Sequence, residues 1–210
     1  VGDRASEVKI MTGIAGVEYE KGRRDDALET YGEGLKISKE IGDNIGAATI
    51  LTEIGEIFTE ERDFTSALRF YGNALKLQTG MGDSKGQLNS RSGIGAIYLE
   101  TGEYRKAVTH FQQAFAAYKR MGDREGLARG HEDLAAVYYH LGEDKRALPH
   151  LNNALKINRS IYDRPGEASV LNRLGVLHGR IGGMKNAVAS LDQALEINRE
   201  LFDQPAEGQT

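Results

Sequence analysis

The 210-residue sequence contains no cysteine, no long apolar run and no large excess of charge of either sign. Without cysteine, disulfides, thiolate metal sites and cysteine nucleophiles are excluded. No apolar run approaches the ~18 residues that a membrane-spanning helix needs. The first ten residues, VGDRASEVKI, include no signal peptide. We therefore expect no membrane association and a cytoplasmic protein.

The charge balance is also informative. There are 27 Lys and Arg residues against 31 Asp and Glu residues, which gives a formal net charge of -4. Nucleic-acid-binding proteins usually present a basic face, so we expect no nucleic-acid partner. Hydrophobic residues make up 40% of the chain, which is typical of a folded, water-soluble protein.

A short motif returns at a fixed interval: IGDNIG, MGDSKG, MGDREG and YDRPG. The aspartates of the series are each 40 residues apart: Asp3, Asp43, Asp83, Asp123, Asp163 and Asp203. A period of this length without drift indicates an array of repeats.

One repeat, residues 83–122, shows how each unit is built. Apolar residues recur at helical spacing before and after the segment TGEY. Asp83 is suited to cap the first helix, and Gly102 and Gly122 are suited to end the two helices. The sequence therefore predicts helix, turn, helix, turn in every repeat.

Small and large residues alternate between fixed positions of the repeat. The second helices carry a column of alanines, and four residues later a column of large residues. Those large residues are Tyr31, Tyr71, Phe111, Leu151 and Leu191. Small residues facing large ones let two helices approach closely, so we predict tightly packed antiparallel pairs.

The motif GIGAIY with Ala107, Phe111 and Ala114 resembles the signature of the tetratricopeptide repeat family. LGVLH with Ala187, Leu191 and Ala194 matches it more loosely. The resemblance covers the whole chain, with repeats of 40 residues like the long-repeat subclass of Pins-type adaptors and bacterial signalling proteins. It implies an all-α fold, a right-handed superhelical solenoid of five antiparallel two-helix repeats. We expect residues 1–210 to form one array, with repeats at 3–42, 43–82, 83–122, 123–162 and 163–202 and the start of a truncated sixth at 203–210.

The resemblance also implies a binding site, because the first helices of the family line a concave surface that binds peptides or proteins. Residues of this chain just beside the packing stripe are expected to face it, including Thr52 and Glu56. The residues expected to form the site are Asn89, Ser92, Ala96, Leu99, Arg129, Glu132, Ala136, Tyr139, Asn172 and Val176. We expect this groove to be small, neutral and partly apolar, with no paired Lys and Asn clamp for a carboxylate.

Catalysis is not predicted. No two of the five histidines have the i, i+4 spacing of a helical zinc site, and the glycines of SGIGAIYLETG lie in a helix without the preceding strand of a dinucleotide site. We therefore predict no catalytic residue, no metal and no cofactor.

Two departures from the repeat pattern lead to further expectations. Arg91 and His131 occupy a column that is apolar in the other three repeats. They are either side chains at the edge of the surface, or a basic site that pairs with an acidic group of the ligand, with Glu132 or with Asp133. Tyr162 replaces a turn glycine, and because positive φ is costly for a bulky residue, we expect a different turn there.

The function implied is a scaffold or adaptor module that binds a peptide or protein segment in the concave groove. The alternative is a regulatory input domain of a larger signalling protein or transcription regulator, which acts intramolecularly or binds a small peptide. Repeat arrays usually end in a capping element with a polar outer face, and we expect the last helix to leave an apolar face partly uncovered. This indicates either truncation of the array or a docking face for a neighbouring domain or for another copy, so self-association through it is a further expectation. The residues of that face are Val188, Leu191, Leu195, Leu201 and Phe202.

Overall fold

The computed structural model describes residues 3–203, and these form ten α-helices. Their bounds are α1 (Arg4–Glu20), α2 (Arg24–Ile41), α3 (Asn44–Glu60), α4 (Phe64–Met81), α5 (Ser84–Glu100), α6 (Tyr104–Met121), α7 (Arg124–His140), α8 (Asp144–Ser160), α9 (Arg164–Arg180) and α10 (Met184–Asp203). Each predicted repeat contains two of them, and the all-α fold class is confirmed. Residues 204–210, most of the predicted truncated sixth repeat, lie outside the described residues.

The recurring aspartates cap the first helix of each repeat. The side chain of Asp43 accepts a hydrogen bond of 2.9 Å from the backbone N–H of Gly46, and Asp83 and Asp123 bind Gly86 and Gly126 in the same way. A Cβ on Gly46 would collide with the Asp43 carboxylate. The Asp and the Gly three residues later therefore form one capping unit, which is why the motif repeats.

The turn at Tyr162 keeps the left-handed conformation of the glycine turns, so the expectation of a different backbone conformation is wrong; α8 merely ends one residue earlier in the repeat, at Ser160. Tyr162 adopts φ 60°, close to the φ 72° of Gly42. The N–H of Asp163 donates to the carbonyl of Asn158, as the N–H of Asp43 does to Ser38. The shared hydrogen bond and the following cap hold the left-handed conformation despite the bulky side chain.

The chain forms two compact units, an N-terminal unit up to Ala114 and a C-terminal unit from Phe115. The boundary falls within α6. Whether residues 1–210 form a single array, as expected from the sequence, stays a prediction.

In the N-terminal unit, the predicted contact of small with large residues is confirmed. A Cβ added to Gly55 would lie 3.0 Å from the Tyr71 ring, and one on Gly95 would lie 2.8 Å from the Phe111 ring. Tyr31, Tyr71 and Phe111 are all buried. The glycines are therefore required by close helix approach.

Thr52 corrects one of the predicted surface columns. It is buried, and its hydroxyl donates to the Ala48 carbonyl and accepts from Gln78 at 3.3 Å. The Gln78 Oε1 accepts from Ser90 at 2.9 Å. Thr52 thus belongs to a buried polar network that joins α3, α4 and α5.

In the C-terminal unit, α7 packs against α8, α8 against α9, and α9 against α10. Its buried apolar residues include Leu134, Val137, Leu171, Leu174 and Leu177. Over residues 3–203, no helix combines the length and the hydropathy that crossing a bilayer requires.

Candidate functional site

The predicted site residues all lie at least partly open to solvent. Asn89, Ala96, Arg129, Asn172 and Val176 are exposed, and the other five are half-buried. This follows from their place on α5, α7 and α9, beside the apolar stripe that packs inward.

Four of them come together in one pocket of the C-terminal unit. Ala136, Tyr139, Asn172 and Val176 line a cavity of about 300 Å³ formed by α7, α8 and α9, called here the α7–α9 pocket. Its other lining residues are Ala135, His140, Ala147, Leu151, Arg173 and Leu177. Its walls are mostly apolar, and Val176 exposes 55% of its surface.

One wall of the α7–α9 pocket is held by Arg180. Its guanidinium lies 3.4 Å from the centre of the Tyr139 ring and donates at 2.9 Å to the Tyr139 carbonyl. The same guanidinium forms an ion pair with Asp144 at the start of α8. Tyr139 is therefore positioned by Arg180 of α9, which is itself held by Asp144 of α8.

The polar rim of the pocket includes Arg173, which sequence reasoning did not select. Its Nε lies 3.7 Å from the Oε2 of Glu132, and its side chain is 48% exposed. Glu132 therefore lies beside the pocket rather than in its lining. Partial burial raises the pKa of Glu132, and the nearby Arg173 opposes this.

The pKa of Asp133, the residue after Glu132, is also raised. Burial raises its pKa to about 6, and the charge of Glu132 contributes in the same direction. Asp133 does not line the α7–α9 pocket.

A second pocket, of about 600 Å³, lies in the N-terminal unit between α1, α2 and α3 and is called here the α1–α3 pocket. Its lining contains Tyr19, Tyr31 and four glutamates, namely Glu20, Glu53, Glu56 and Glu60. The expectation of a neutral groove is therefore wrong in this unit.

The electrostatics of the α1–α3 pocket follow from its glutamates. The Tyr19 hydroxyl donates to Glu60 at 2.5 Å, and this bond raises the pKa of Tyr19 to about 12. Burial raises the pKa of Glu53. Burial also raises that of Glu56, and the charge of Glu53 adds to the effect.

The two pockets occupy the same position in the repeat, three repeats apart. Tyr19 corresponds to Tyr139, and Ile57 corresponds to Leu177. At other shared lining positions, glutamates of the α1–α3 pocket are replaced in the α7–α9 pocket: Glu20 by His140, Glu53 by Arg173 and Glu56 by Val176.

The remaining predicted residues do not line either pocket. Asn89, Ser92, Ala96 and Leu99 lie along α5, and the Ser92 hydroxyl is buried without a hydrogen-bond partner. Arg129 lies 3.9 Å from Glu125 on its own helix.

The column of Arg91 and His131 forms contacts that the sequence did not indicate. Arg91 donates to Gln113. His131 contacts neither Glu132 nor Asp133 through a hydrogen bond; its Nδ1 lies 2.8 Å from the Nδ1 of His150. The partner on α8 could not be identified from spacing within one helix.

Within the described part of the chain, no group of three or more His, Asp or Glu side chains could hold a metal ion. The outer side of α10 exposes Val188, Leu191, Leu195 and Phe202, whereas Leu201 is half-buried. Leu191 is 42% exposed, but its counterpart Leu151 in the preceding repeat is 4% exposed.

Comparison with known proteins identifies a repeat family that agrees with the helical repeats described above. A family model described as tetratricopeptide repeat matches residues 46–120 and 126–200. None of the curated proteins matches the sequence significantly.

Three similar solved structures are BtubC from P. vanneervenii, RapI in its apo form, and MamA from Desulfovibrio magneticus RS-1. BtubC has a TM-score of 0.88 at 18% identity, covering 99% of this chain and 85% of BtubC. RapI has a TM-score of 0.86 at 17% identity, covering 94% and 72% of the two chains. MamA has a TM-score of 0.72 at 19% identity, covering 95% and 97%. At these identities the likeness shows the shared fold.

Proposed function

The chain belongs to the tetratricopeptide repeat family, and on that premise we propose that it is a scaffold or adaptor module that binds a peptide or protein segment in a groove lined by its first helices. Members of this family generally serve in protein–protein interaction. For this chain, the proposal specifies which surface binds the partner and what kind of segment is bound.

The α7–α9 pocket is the observation that carries this proposal. Ligand sites are concave and mostly apolar, with a few polar groups that orient the ligand. Ala136 and Val176 supply apolar walls, and Tyr139 and Asn172 supply polar groups at the rim. The pocket would hold one apolar side chain of a bound segment.

Preorganisation of the pocket supports this role. Arg180 holds Tyr139 through a cation–π contact and a backbone hydrogen bond, and Leu177 is fully buried beneath the pocket. A surface that is already ordered loses less conformational entropy on binding. The pocket walls can therefore engage a segment without rearranging.

The proposal is tested by selecting a random peptide library displayed on phage against the immobilised chain. Individual peptides are then synthesised and their affinities measured for the parent chain and for Val176→Glu. We expect Val176→Glu to weaken the selected peptides at least tenfold, since it places a charge in the apolar pocket.

The matched control is Asn152→Glu, which adds the same charge at an exposed position of α8 outside the pocket lining. Selected peptides should bind this variant within twofold of the parent. Peptides that are unaffected by Val176→Glu would contradict the proposed site.

We also propose that the exposed face of α10, formed by Val188, Leu191 and Leu195, mediates self-association. The supporting observation is that 42–51% of each of these side chains is exposed. Contiguous exposed apolar side chains often mark interaction surfaces.

A further inference from the structure

The two pockets lie at the same position in the repeat, but their side chains differ in charge and in polarity. The α1–α3 pocket has Glu53 and Glu56 where the α7–α9 pocket has Arg173 and Val176. Because the repeat places these residues equivalently, the difference between the pockets lies in side-chain chemistry. Each pocket is therefore expected to select a different kind of side chain.

Hydrogen-bond donors surround the apolar part of the α7–α9 pocket. The Arg173 Nε lies 3.7 Å from the Oε2 of Glu132, and 48% of the Arg173 side chain is exposed. Tyr139 is half-buried and Asn172 is exposed. All three residues line the pocket.

Arg173 supplies the positive charge at this rim. A guanidinium has five N–H donors in a planar fork and can bind a carboxylate through its free edge while another edge faces a second acid. Glu132 lies outside the pocket lining at 3.7 Å from the Nε. The edge formed by the two terminal nitrogens is thus available to a ligand.

Building on the function proposed above, we propose that the α7–α9 pocket recognises an apolar side chain whose neighbour in the partner segment is acidic. The apolar side chain lies against Ala136 and Val176. The neighbouring carboxylate accepts hydrogen bonds from the terminal nitrogens of Arg173, with Asn172 and Tyr139 as further donors. The partner is a protein segment of this composition.

The α1–α3 pocket provides an internal contrast. Glu53 and Glu56 would repel a carboxylate at the matched position, because like charges in a partly buried site are unfavourable. A segment with an apolar residue followed by an acidic one should therefore distinguish between the two pockets of the same chain.

The test uses three capped synthetic hexapeptides that differ at two central residues: Gly-Ser-Leu-Asp-Ser-Gly, Gly-Ser-Leu-Lys-Ser-Gly and Gly-Ser-Ala-Asp-Ser-Gly. Each is titrated into the ¹⁵N-labelled chain at pH 7, and amide chemical shifts are recorded. The Leu-Asp peptide should shift the amides of Tyr139 and Val176 and bind at least fivefold more tightly than the other two.

Two variants test the role of Arg173. Arg173→Ala should remove the preference for Leu-Asp over Leu-Lys, and Arg173→Glu should reverse it. Lys156→Glu is the matched control, because it changes the net charge as much as Arg173→Glu does, at an exposed residue of α8 that does not line the pocket. The preference should survive in Lys156→Glu, and a circular dichroism spectrum establishes that each variant is folded.

The outcomes separate this inference from the proposed function. Equal binding of Leu-Asp and Leu-Lys, an unchanged preference in Arg173→Ala, or absence of any shift at the pocket overturns the acidic-neighbour assignment. The proposed function still stands if peptides from the phage selection respond to Val176→Glu. It fails if no selected peptide does.

Discussion

The Nδ1 atoms of His131 on α7 and His150 on α8 lie 2.8 Å apart in the C-terminal unit. The His131 ring also contacts the Phe115 ring edge-on. The His150 ring contacts the Tyr138 ring, and the charge of Arg146 acts on His150. Burial lowers the pKa of both histidines, that of His131 to about 4. The imidazole of His131 is therefore neutral at pH 7.

This pair predicts a loss of stability in mild acid. Between pH 6.5 and about 4, unfolded His131 takes up a proton that folded His131 does not. The unfolded state binds more protons in that window, so the free energy of unfolding falls as the pH falls. After allowance for its partial exposure to solvent, we expect a contribution of roughly 1 kcal/mol.

The variant for this test is His131→Leu, which introduces the residue found at positions 51 and 171 of the same column. Urea unfolding at pH 7 and pH 5 should show a smaller loss of stability in the variant than in the parent chain. His178→Gln, outside the pair, serves as the control and should behave like the parent. An identical pH dependence in His131→Leu would contradict the assignment.

Two glycine-to-alanine substitutions should have opposite effects on stability. A Cβ on Gly126 would overlap the Tyr118 ring, whereas one on Gly32 would meet no atom within 4 Å. We expect Gly126→Ala to lower the free energy of unfolding by roughly 2 kcal/mol or more. Gly32→Ala should raise it by about 0.5–1 kcal/mol, because alanine favours an exposed helix position.

Urea denaturation of the two variants measures both effects under the same conditions. A neutral Gly126→Ala would show that the close approach of α7 to the Tyr118 ring is not a requirement of the fold.

The buried network of Thr52, Gln78 and Ser90 should be sensitive to loss of one hydroxyl. Ser90→Ala removes the donor to the Gln78 Oε1 and leaves that buried oxygen unsatisfied. We expect a cost of about 1–2 kcal/mol. The double variant Ser90→Ala with Gln78→Met should recover part of the loss, since it removes the unsatisfied group as well.

The α10 face predicts concentration-dependent association. Sedimentation equilibrium of the chain should give an average mass that rises above 23.0 kDa with concentration. The variant Leu191→Glu with Leu195→Glu should stay at the monomer mass. A constant monomer mass in the parent would contradict the proposal.

Local features of this fold could be predicted from the sequence, because their causes lie within a few residues. Asp43 caps α3 through a hydrogen bond to Gly46, and both residues recur at the same spacing. Tyr162 was mispredicted because its own conformational preference is overridden by the hydrogen bond between the N–H of Asp163 and Asn158.

The site could be predicted only in part. The family resemblance, together with helical spacing, assigned Ala136, Tyr139, Asn172 and Val176 to one surface, and all four line the α7–α9 pocket. The charge of each pocket depends on the adjacent column, which includes Glu53 and Arg173. How far those side chains reach cannot be read from helical spacing. The contact of His131 with His150 depends on the register between two helices, which spacing along one helix does not reveal.

Binding at the α7–α9 pocket is tested by the chemical-shift map of a phage-selected peptide on the ¹⁵N-labelled chain. We expect the largest amide shifts at Ala136, Tyr139, Asn172 and Val176, and we expect Val176→Glu to abolish them. Shifts that are confined to the exposed side of α8, or that persist unchanged in Val176→Glu, would contradict it.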